Sequence, residues 1–382
     1  MKFIKLFSLF LTILMLSMSI NISALTIKNT DFDLNVKSAV LMDANTGTVL
    51  YEKNMNESLP PASVTKIMTL LLVFDAIKAG TLNYKDMLTV SENAASMGGS
   101  QVYLEPGESM SVDELLKCVI IASANDAALT LAEHVAGSEE AFVSMMNEKA
   151  KELGMKNTNF ENVTGLDDEV TNHTTSAYDI ALMSKELLKH QDIQKYTTIW
   201  MDTIRNGEFG LSNTNRLVKF YKGITGLKTG STNKAGFCVS ASAKRGNLHL
   251  IAVIMGAPTS NDRNIAATKL LDYGFANYGI YSDEKQEYGT IKVIKGKSDE
   301  IKIGYDGIEI LENLGNESKV EKEIIINENV CAPIKAGDEI GSIKYKLDGK
   351  ILKESKIVSL ENCEKMNFFE FFVKAIKNYL FI

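Results

Sequence analysis

Ser63-Val64-Thr65-Lys66, Ser123-Ala124-Asn125 and Lys228-Thr229-Gly230, in that order, supply a nucleophile, a base, a proton relay and a cationic anchor for a substrate carboxylate. A serine hydroxyl is a weak nucleophile until a base takes its proton. Lys66 stands three residues after Ser63, which on a helix puts both side chains on one face. In the first turn of that helix, backbone N–H groups and the helix dipole favour negative charge at Ser63. A lysine works as a base only with a lowered pKa, and burial beside a second cation, Lys228, would lower it. Ser123 would pass a proton between Lys66 and a leaving group. Asn125 carries both donor and acceptor, suited to holding a peptide amide. Lys228 adds positive charge, Thr229 a hydroxyl donor, and Gly230 room for a substrate backbone to approach.

Each motif alone has an ordinary reading. Ser-x-x-Lys recurs at Ser231 to Lys234 and at Ser282 to Lys285, and Ser-x-Asn at Ser91 to Asn93 and at Ser231 to Asn233. A lone Ser-x-x-Lys is usually a helix cap beside an exposed lysine. A lone Ser-x-Asn is a helix break with local capping bonds. Lys-Thr-Gly occurs once and would otherwise pass for a loop lysine with a turn glycine. Order, spacing and local context set the three apart from these.

The elements that must position them follow from pattern. Lys37–Asp43 and Thr48–Lys53 flank Asn45-Thr46-Gly47 and predict a β-hairpin. After Pro60 and Pro61, Ile67, Leu70, Leu71 and Phe74 recur at helical spacing, predicting a core helix from about Ala62 to Ala79 that stops at Gly80. Residues 110–136 and 139–153 read as helices, with Ser123 at a break within the first. Residues 157–172 read as a polar surface loop. Helix returns at 176–189, β-like runs at 235–243 and 248–256 turn at Arg245-Gly246-Asn247, and a helix spans 261–277. Lys228-Thr229-Gly230, just before the first of these runs, is expected on a strand edge. From 281 to 362, short β-like runs separated by Gly, Asp and Asn predict a small all-β domain, a spacer or interaction module.

At 382 residues the chain is long enough for about two domains. Its net charge of −7 argues against nucleic acid as a partner, and no motif calls for a metal or organic cofactor. Cys118, Cys238, Cys331 and Cys363 show no paired spacing and read mostly as buried thiols, a disulfide remaining open. Residues 1–24 read as an export signal: Lys2 and Lys5, an apolar stretch from Leu6 to Ile20, then Ile22-Ser23-Ala24 as a cleavage site. A retained spanning helix is the alternative, but about 15 apolar residues fall short of the roughly 20 needed to cross a bilayer. Residues 363–382 form an amphipathic tail. Glu370, Lys374, Lys377 and Asn378 share one helix face and Phe368, Phe369, Phe371, Phe372, Val373, Ile376, Leu380 and Phe381 cover the rest. This predicts a helix lying in a membrane surface, or else docked on the protein itself.

The three motifs together resemble those of the penicillin-recognising serine enzymes. The chain is most similar to the low-molecular-weight penicillin-binding proteins that act as D-alanyl-D-alanine carboxypeptidases. Pro61–Met68, Gly98-Gly99-Ser100, Leu104–Glu108, Ala122–Ala127, Gly226–Gly230 and Ala235-Gly236-Phe237 carry the likeness, which extends from about residue 30 to the end. Asn162-Val163-Thr164-Gly165-Leu166 departs from the family's usual Asn-Pro-x-Gly-Leu, and the change is expected to alter loop rigidity rather than chemistry. The resemblance implies an α+β catalytic domain at 25–280, of the β-lactamase/transpeptidase type with an antiparallel sheet and helices, then the all-β domain as a small β-sandwich. It implies that Ser63 attacks a peptidoglycan stem peptide, with the Ser63 and Ser231 backbone N–H groups as oxyanion hole and Lys228, Thr229 and Arg263 on the terminal carboxylate. It implies no metal or cofactor, β-lactams as acylating inhibitors, and an exported enzyme on the outer face of the cell membrane. Two other functions share the motifs. A serine β-lactamase would need a carboxylate to speed deacylation, and Glu161, Asp167, Asp168 and Glu169 lie in the loop where one might sit without forming a recognisable pattern. A β-lactam sensor would acylate without turnover, but the chain has no room for a linked signalling domain.

Overall fold

In the computed structural model of the chain, residues 33–167 and 170–380 are described. The expected signal at 1–24 lies outside them, as do Asp168 and Glu169. The described residues fall into two units that meet between Tyr278 and Gly279.

The first unit is built on a five-stranded antiparallel sheet. Strand β1 (Ser38–Asp43) and strand β2 (Val49–Lys53) form the expected hairpin, with Gly47 taking the left-handed turn position at φ +79°. The nucleophile segment follows as a 3-10 turn, Ala62–Thr65, running into helix α1 (Lys66–Ala79), which Gly80 stops at φ +76°. The first nine residues of α1 are all buried, so this helix is enclosed by the fold rather than laid on its surface. The longer helices α2 (Val112–Ile121), α3 (Asn125–Ala136), α4 (Glu139–Glu152) and α5 (Ala177–Leu187) follow. Side-chain N-caps start three of these: Ser111, Ser138 and Ser176 each accept a hydrogen bond from a backbone N–H three residues on.

Strands β3 (Ile224–Thr232), β4 (Gly236–Arg245) and β5 (Leu248–Ala257) and helix α6 (Ser260–Asn277) close the unit. The sheet order is β2-β1-β5-β4-β3, which leaves β3 as an edge strand. Register separates the helices to the two faces. Ala241 pairs with Ala252 and Ala243 with Leu250, so Leu250 and Ser240 point to opposite faces. Ser240 Oγ hydrogen-bonds Ser184 of α5 at 2.8 Å, and Gly274 of α6 packs on Leu250. β5, covered on both sides, is accordingly an apolar run with only one residue short of full burial.

The second unit is built on a five-stranded antiparallel sheet of β6 (Gln286–Lys292), β7 (Glu300–Tyr305), β8 (Glu321–Ile326), β9 (Glu339–Leu347) and β10 (Lys350–Ser359), in the order β6-β7-β10-β9-β8. Ile301, Ile303, Tyr305, Ile343, Tyr345 and Ile357 form its core. Tyr345 donates to Asp283 at 2.7 Å, a buried carboxylate also paired with Lys322 at 2.7 Å. The last described element is helix α7 (Phe368–Leu380). Its polar face is tied to its own unit: Glu370 lies 3.7 Å from Lys297, and Lys374 pairs with Asp299 and reaches the Gly296 carbonyl. Phe368, Phe369, Phe371, Phe372, Val373 and Ile376 stay exposed. Among the described residues no helix is long and apolar enough to cross a membrane. All four cysteines are free thiols; Cys118, Cys238 and Cys363 are buried and Cys331 is exposed.

Candidate active site

The Ser63 turn is strained and tightly held. Ala62 sits at φ +49°, a left-handed conformation that costs a β-carbon residue on the order of 1–2 kcal/mol. Val64 and Thr65 are buried, while Ser63 keeps partial access to solvent. Lys66, the first residue of α1, is wholly buried. Its Nζ lies 2.9 Å from Ser63 Oγ, 2.5 Å from Asn125 Oδ1 and 3.0 Å from the Thr164 carbonyl. Burial first, and the positive charge of Lys228 second, hold its pKa well below that of an ordinary lysine. A neutral lysine has two N–H bonds and one lone pair. Asn125 Oδ1 and the Thr164 carbonyl are pure acceptors and take the two N–H bonds, so the lone pair is left for the Ser63 hydroxyl proton. Asn125 is fixed in that sense because its Nδ2 donates to the Gly98 carbonyl at 2.7 Å.

Ser123 falls in the break between α2 and α3, as the sequence predicts, and it too is left-handed, at φ +63°. Its Oγ accepts from Lys228 Nζ at 2.8 Å, which leaves its own proton free to be given away. Asn125 opens α3, and its amide group accepts from Lys66 and donates to the Gly98 carbonyl, which leaves one further acceptor position and one N–H on the side chain. Asp126 behind it accepts from the Val102 and Leu104 backbone N–H groups, both at 3.1 Å, and so pins the loop that carries Gly98.

Lys228, Thr229, Gly230 and Ser231 lie on β3, the sheet edge facing the Ser63 turn. Lys228 is buried and its pKa is pushed down to about 7, by burial first and the nearby Arg263 charge second. Thr229 Oγ1 donates to Thr214 Oγ1 at 2.7 Å. Gly230 has a structural reason of its own. A Cβ there would stand 2.7 Å from Ser63 N and 2.9 Å from both Pro61 O and Val64 N. The nucleophile's own turn thus approaches closely enough to demand glycine, and it brings β3 against the Ser63 amide. Ser231 follows, exposed at the strand end. Arg263, in the first turns of α6, is buried, and its pKa is drawn down to about 10 by burial. Its Nε donates to Asn264 Oδ1 at 3.1 Å, and no carboxylate pairs with it among the described residues.

The loop at 157–172 differs from expectation. Phe160, Val163 and Thr164 are buried, because α1 uses the loop's carbonyls: Lys66 donates to Thr164 O, and Thr69 donates to Val163 O at 2.6 Å. Gly165, at φ +82°, packs directly on the Ala62 carbonyl. Thr164, Gly165, Thr214 and the buried His173 are site components that residue type alone did not reveal. The glycine in Asn162–Leu166 was the available signal. Of the loop carboxylates, Glu161 accepts from the Thr171 and Asn172 backbone N–H groups and Asp167 from Thr232.

The profile of the D-alanyl-D-alanine carboxypeptidase family matches residues 24–259, and that of the penicillin-binding protein 5 C-terminal domain matches residues 275–365. The chain is 48% identical over 347 residues to the D-alanyl-D-alanine carboxypeptidase DacF of Bacillus subtilis (strain 168), covering 89% of each. Penicillin-binding protein 5 of Haemophilus influenzae superposes with a TM-score of 0.75 at 32% identity, over 88% of this chain and 99% of that one. Penicillin-binding protein D2 of Listeria monocytogenes, in its ampicillin-bound form, gives a TM-score of 0.59 at 31% identity, over 64% of this chain and 99% of that one. A buried lysine aimed at a serine and bonded to Asn125, a second motif pair in Lys228 and Ser123, the all-β second unit and this degree of likeness lead to one assignment: the chain belongs to the D-alanyl-D-alanine carboxypeptidase family of serine peptidases, the low-molecular-weight penicillin-binding proteins.

Proposed function

We propose that Ser63 removes the terminal D-alanine from peptidoglycan stem pentapeptides through an acyl-enzyme. The observation that carries this is the buried Lys66 amine, whose Nζ lies 2.9 Å from Ser63 Oγ and whose other two partners are both carbonyl acceptors. Ser63 Oγ attacks the carbonyl between the two terminal D-alanines as its proton passes to Lys66. The oxyanion forms between the Ser63 and Ser231 N–H groups, each worth roughly 3–4 kcal/mol in comparable sites. Collapse breaks the C–N bond. The departing amine takes a proton through Ser123, whose hydroxyl is held by Lys228. Water then attacks the ester, Lys66 again serving as base, and Ser63 is restored. A β-lactam would follow the same first step and stay attached. The full chain should release D-alanine from diacetyl-Lys-D-Ala-D-Ala and Ser63→Ala should not; rapid penicillin hydrolysis instead would make it a β-lactamase.

Arg263 and Lys228 are read as the carboxylate site, supported by a buried guanidinium that no carboxylate pairs with among the described residues and whose charge is felt at the edge-strand lysine. The kcat/KM profile for the free-acid peptide should then be a bell. It rises as Lys66 loses its proton and falls as Lys228, near pH 7, loses its own. Arg263→Gln should lower kcat/KM about 10- to 100-fold, mostly in KM, as expected for a charged hydrogen bond of about 1.5–3 kcal/mol. Removing that charge also lets the Lys228 pKa rise, so the falling limb should move to higher pH. An unchanged KM and limb would remove Arg263 from the site.

Export and attachment to the outer face of the cell membrane belong to the same reading. They are supported by the residue 1–24 pattern and by α7, whose polar face is tied to its own unit while its phenylalanines face outward. Phe369→Glu with Phe372→Glu should abolish cosedimentation with anionic phospholipid vesicles and leave peptide hydrolysis unaltered. Equal binding by parent and variant would dismiss the anchor.

A further inference from the structure

A hydrogen-bond chain of fixed direction runs into the peptide unit that carries the Ser63 N–H. It starts at the Glu161 backbone N–H, which donates to His173 Nδ1 at 3.0 Å. A backbone N–H has no acceptor form, so Nδ1 must be unprotonated and the ring proton must sit on Nε2. His173 Nε2 lies 2.8 Å from Thr65 Oγ1. Since Nε2 donates, the single Thr65 hydroxyl proton goes onward, to the Ala62 carbonyl at 2.9 Å. Both side chains are buried, His173 with its ring edge-to-face against Phe160 at 5.7 Å, so water does not compete for these bonds.

The end of this chain matters because the Ala62 carbonyl and the Ser63 N–H are two ends of one planar unit. Whatever holds the carbonyl also aims the N–H, in the opposite direction. Ala62 needs holding, since its left-handed φ of +49° is a conformation alanine leaves readily. Each donation along the chain also polarises the next, making the terminal N–H a stronger donor. Had the ring carried its proton on Nδ1, Thr65 would donate to His173 and the Ala62 carbonyl would lose the hydroxyl as a donor.

We propose that His173 is a positioning residue for the oxyanion hole, acting through Thr65 and the Ala62–Ser63 peptide to aim the Ser63 N–H. The inference rests on the reading of Ser63 as the acylated nucleophile. It is tested on the full chain with a chromogenic penicillin, separating the binding constant from the acylation rate, and with the infrared carbonyl stretch of the acyl-enzyme. Thr65→Val and His173→Phe should each slow acylation about 10- to 100-fold, with binding within twofold of the parent. Their acyl carbonyl stretch should move to higher frequency as the hydrogen bond weakens. Thr65→Ser keeps the hydroxyl and His173→Gln keeps a donor for it, so both should recover most of the rate. The Thr65→Val, His173→Phe double variant should be no slower than the worse single, because both break one chain. Thr65→Val with the parent's rate and stretch, or His173→Gln as slow as His173→Phe, would overturn the relay while leaving Ser63 as nucleophile. A parent that penicillin fails to acylate would overturn both.

Discussion

Lys66→Met should reduce acylation by penicillin and D-alanine release by about 10⁴-fold, the upper range for loss of a general base. That corresponds to about 5 kcal/mol of lost transition-state stabilisation. The comparison with Lys66→Arg decides the mechanism. Arginine keeps the positive charge but does not lose its proton in a protein, so it should be as inactive as methionine. If Lys66 acted only as a fixed cation, arginine would retain substantial activity. The same lysine leaves a trace in stability. Its folded pKa is depressed, by burial first and Lys228 second, so the unfolded chain binds the proton more readily. Stability is therefore reduced at low pH and recovers as pH rises through the folded pKa toward the ordinary lysine value. Methionine has no such dependence. Its melting temperature relative to the parent should fall steadily as pH rises, and a difference independent of pH would contradict a neutral Lys66.

The second large effect is expected at Gly165, which does no chemistry. A Cβ added there would stand 1.9 Å from the Ala62 carbonyl oxygen, 2.4 Å from its carbon and 2.6 Å from Thr65 Oγ1. The first two are backbone atoms, which have no rotamer through which to yield. Either the loop withdraws and takes the Thr164 carbonyl from Lys66, or the Ser63 turn moves. A displacement of about 1 Å at a reacting group costs on the order of 10²-fold. Gly165→Ala should lose at least that in acylation, and several kcal/mol of stability from the clash and the φ of +82°. Gly137→Ala is the control. It too has a left-handed φ, +85°, but faces open space at the end of α3. It should cost only about 1 kcal/mol and acylate normally. Equal acylation by the two variants would mean that the loop does not brace the nucleophile.

What was readable from sequence was local. Hairpin β1–β2, the core helix ending at Gly80, the β4–β5 turn and the all-β second unit each follow from periods and turn residues spanning a few neighbours. The motif residues were readable because acyl transfer to serine admits few residue types, and a family likeness added Ser231 and Arg263. The loop at 157–172 was misread because polar composition normally marks a surface. Here its carbonyls serve Lys66 and Thr69, partners 98 and 94 residues away in sequence.

Sequence by itself determined which groups are present: a nucleophile, a lysine that must be buried to act, an anchor lysine, and a tail with a polar and an apolar face. Only the tertiary structure decided how they are used. It assigned Gly230 to the approach of the Ser63 turn, used Asn125 to orient Lys66, turned the polar face of α7 onto its own unit, and ran the line from His173 to Ala62. The reason is directional. Hydrogen bonds and close backbone approaches depend on the orientation of groups far apart in the chain, which residue type and spacing leave open, whereas periodicity records only which side of an element is buried.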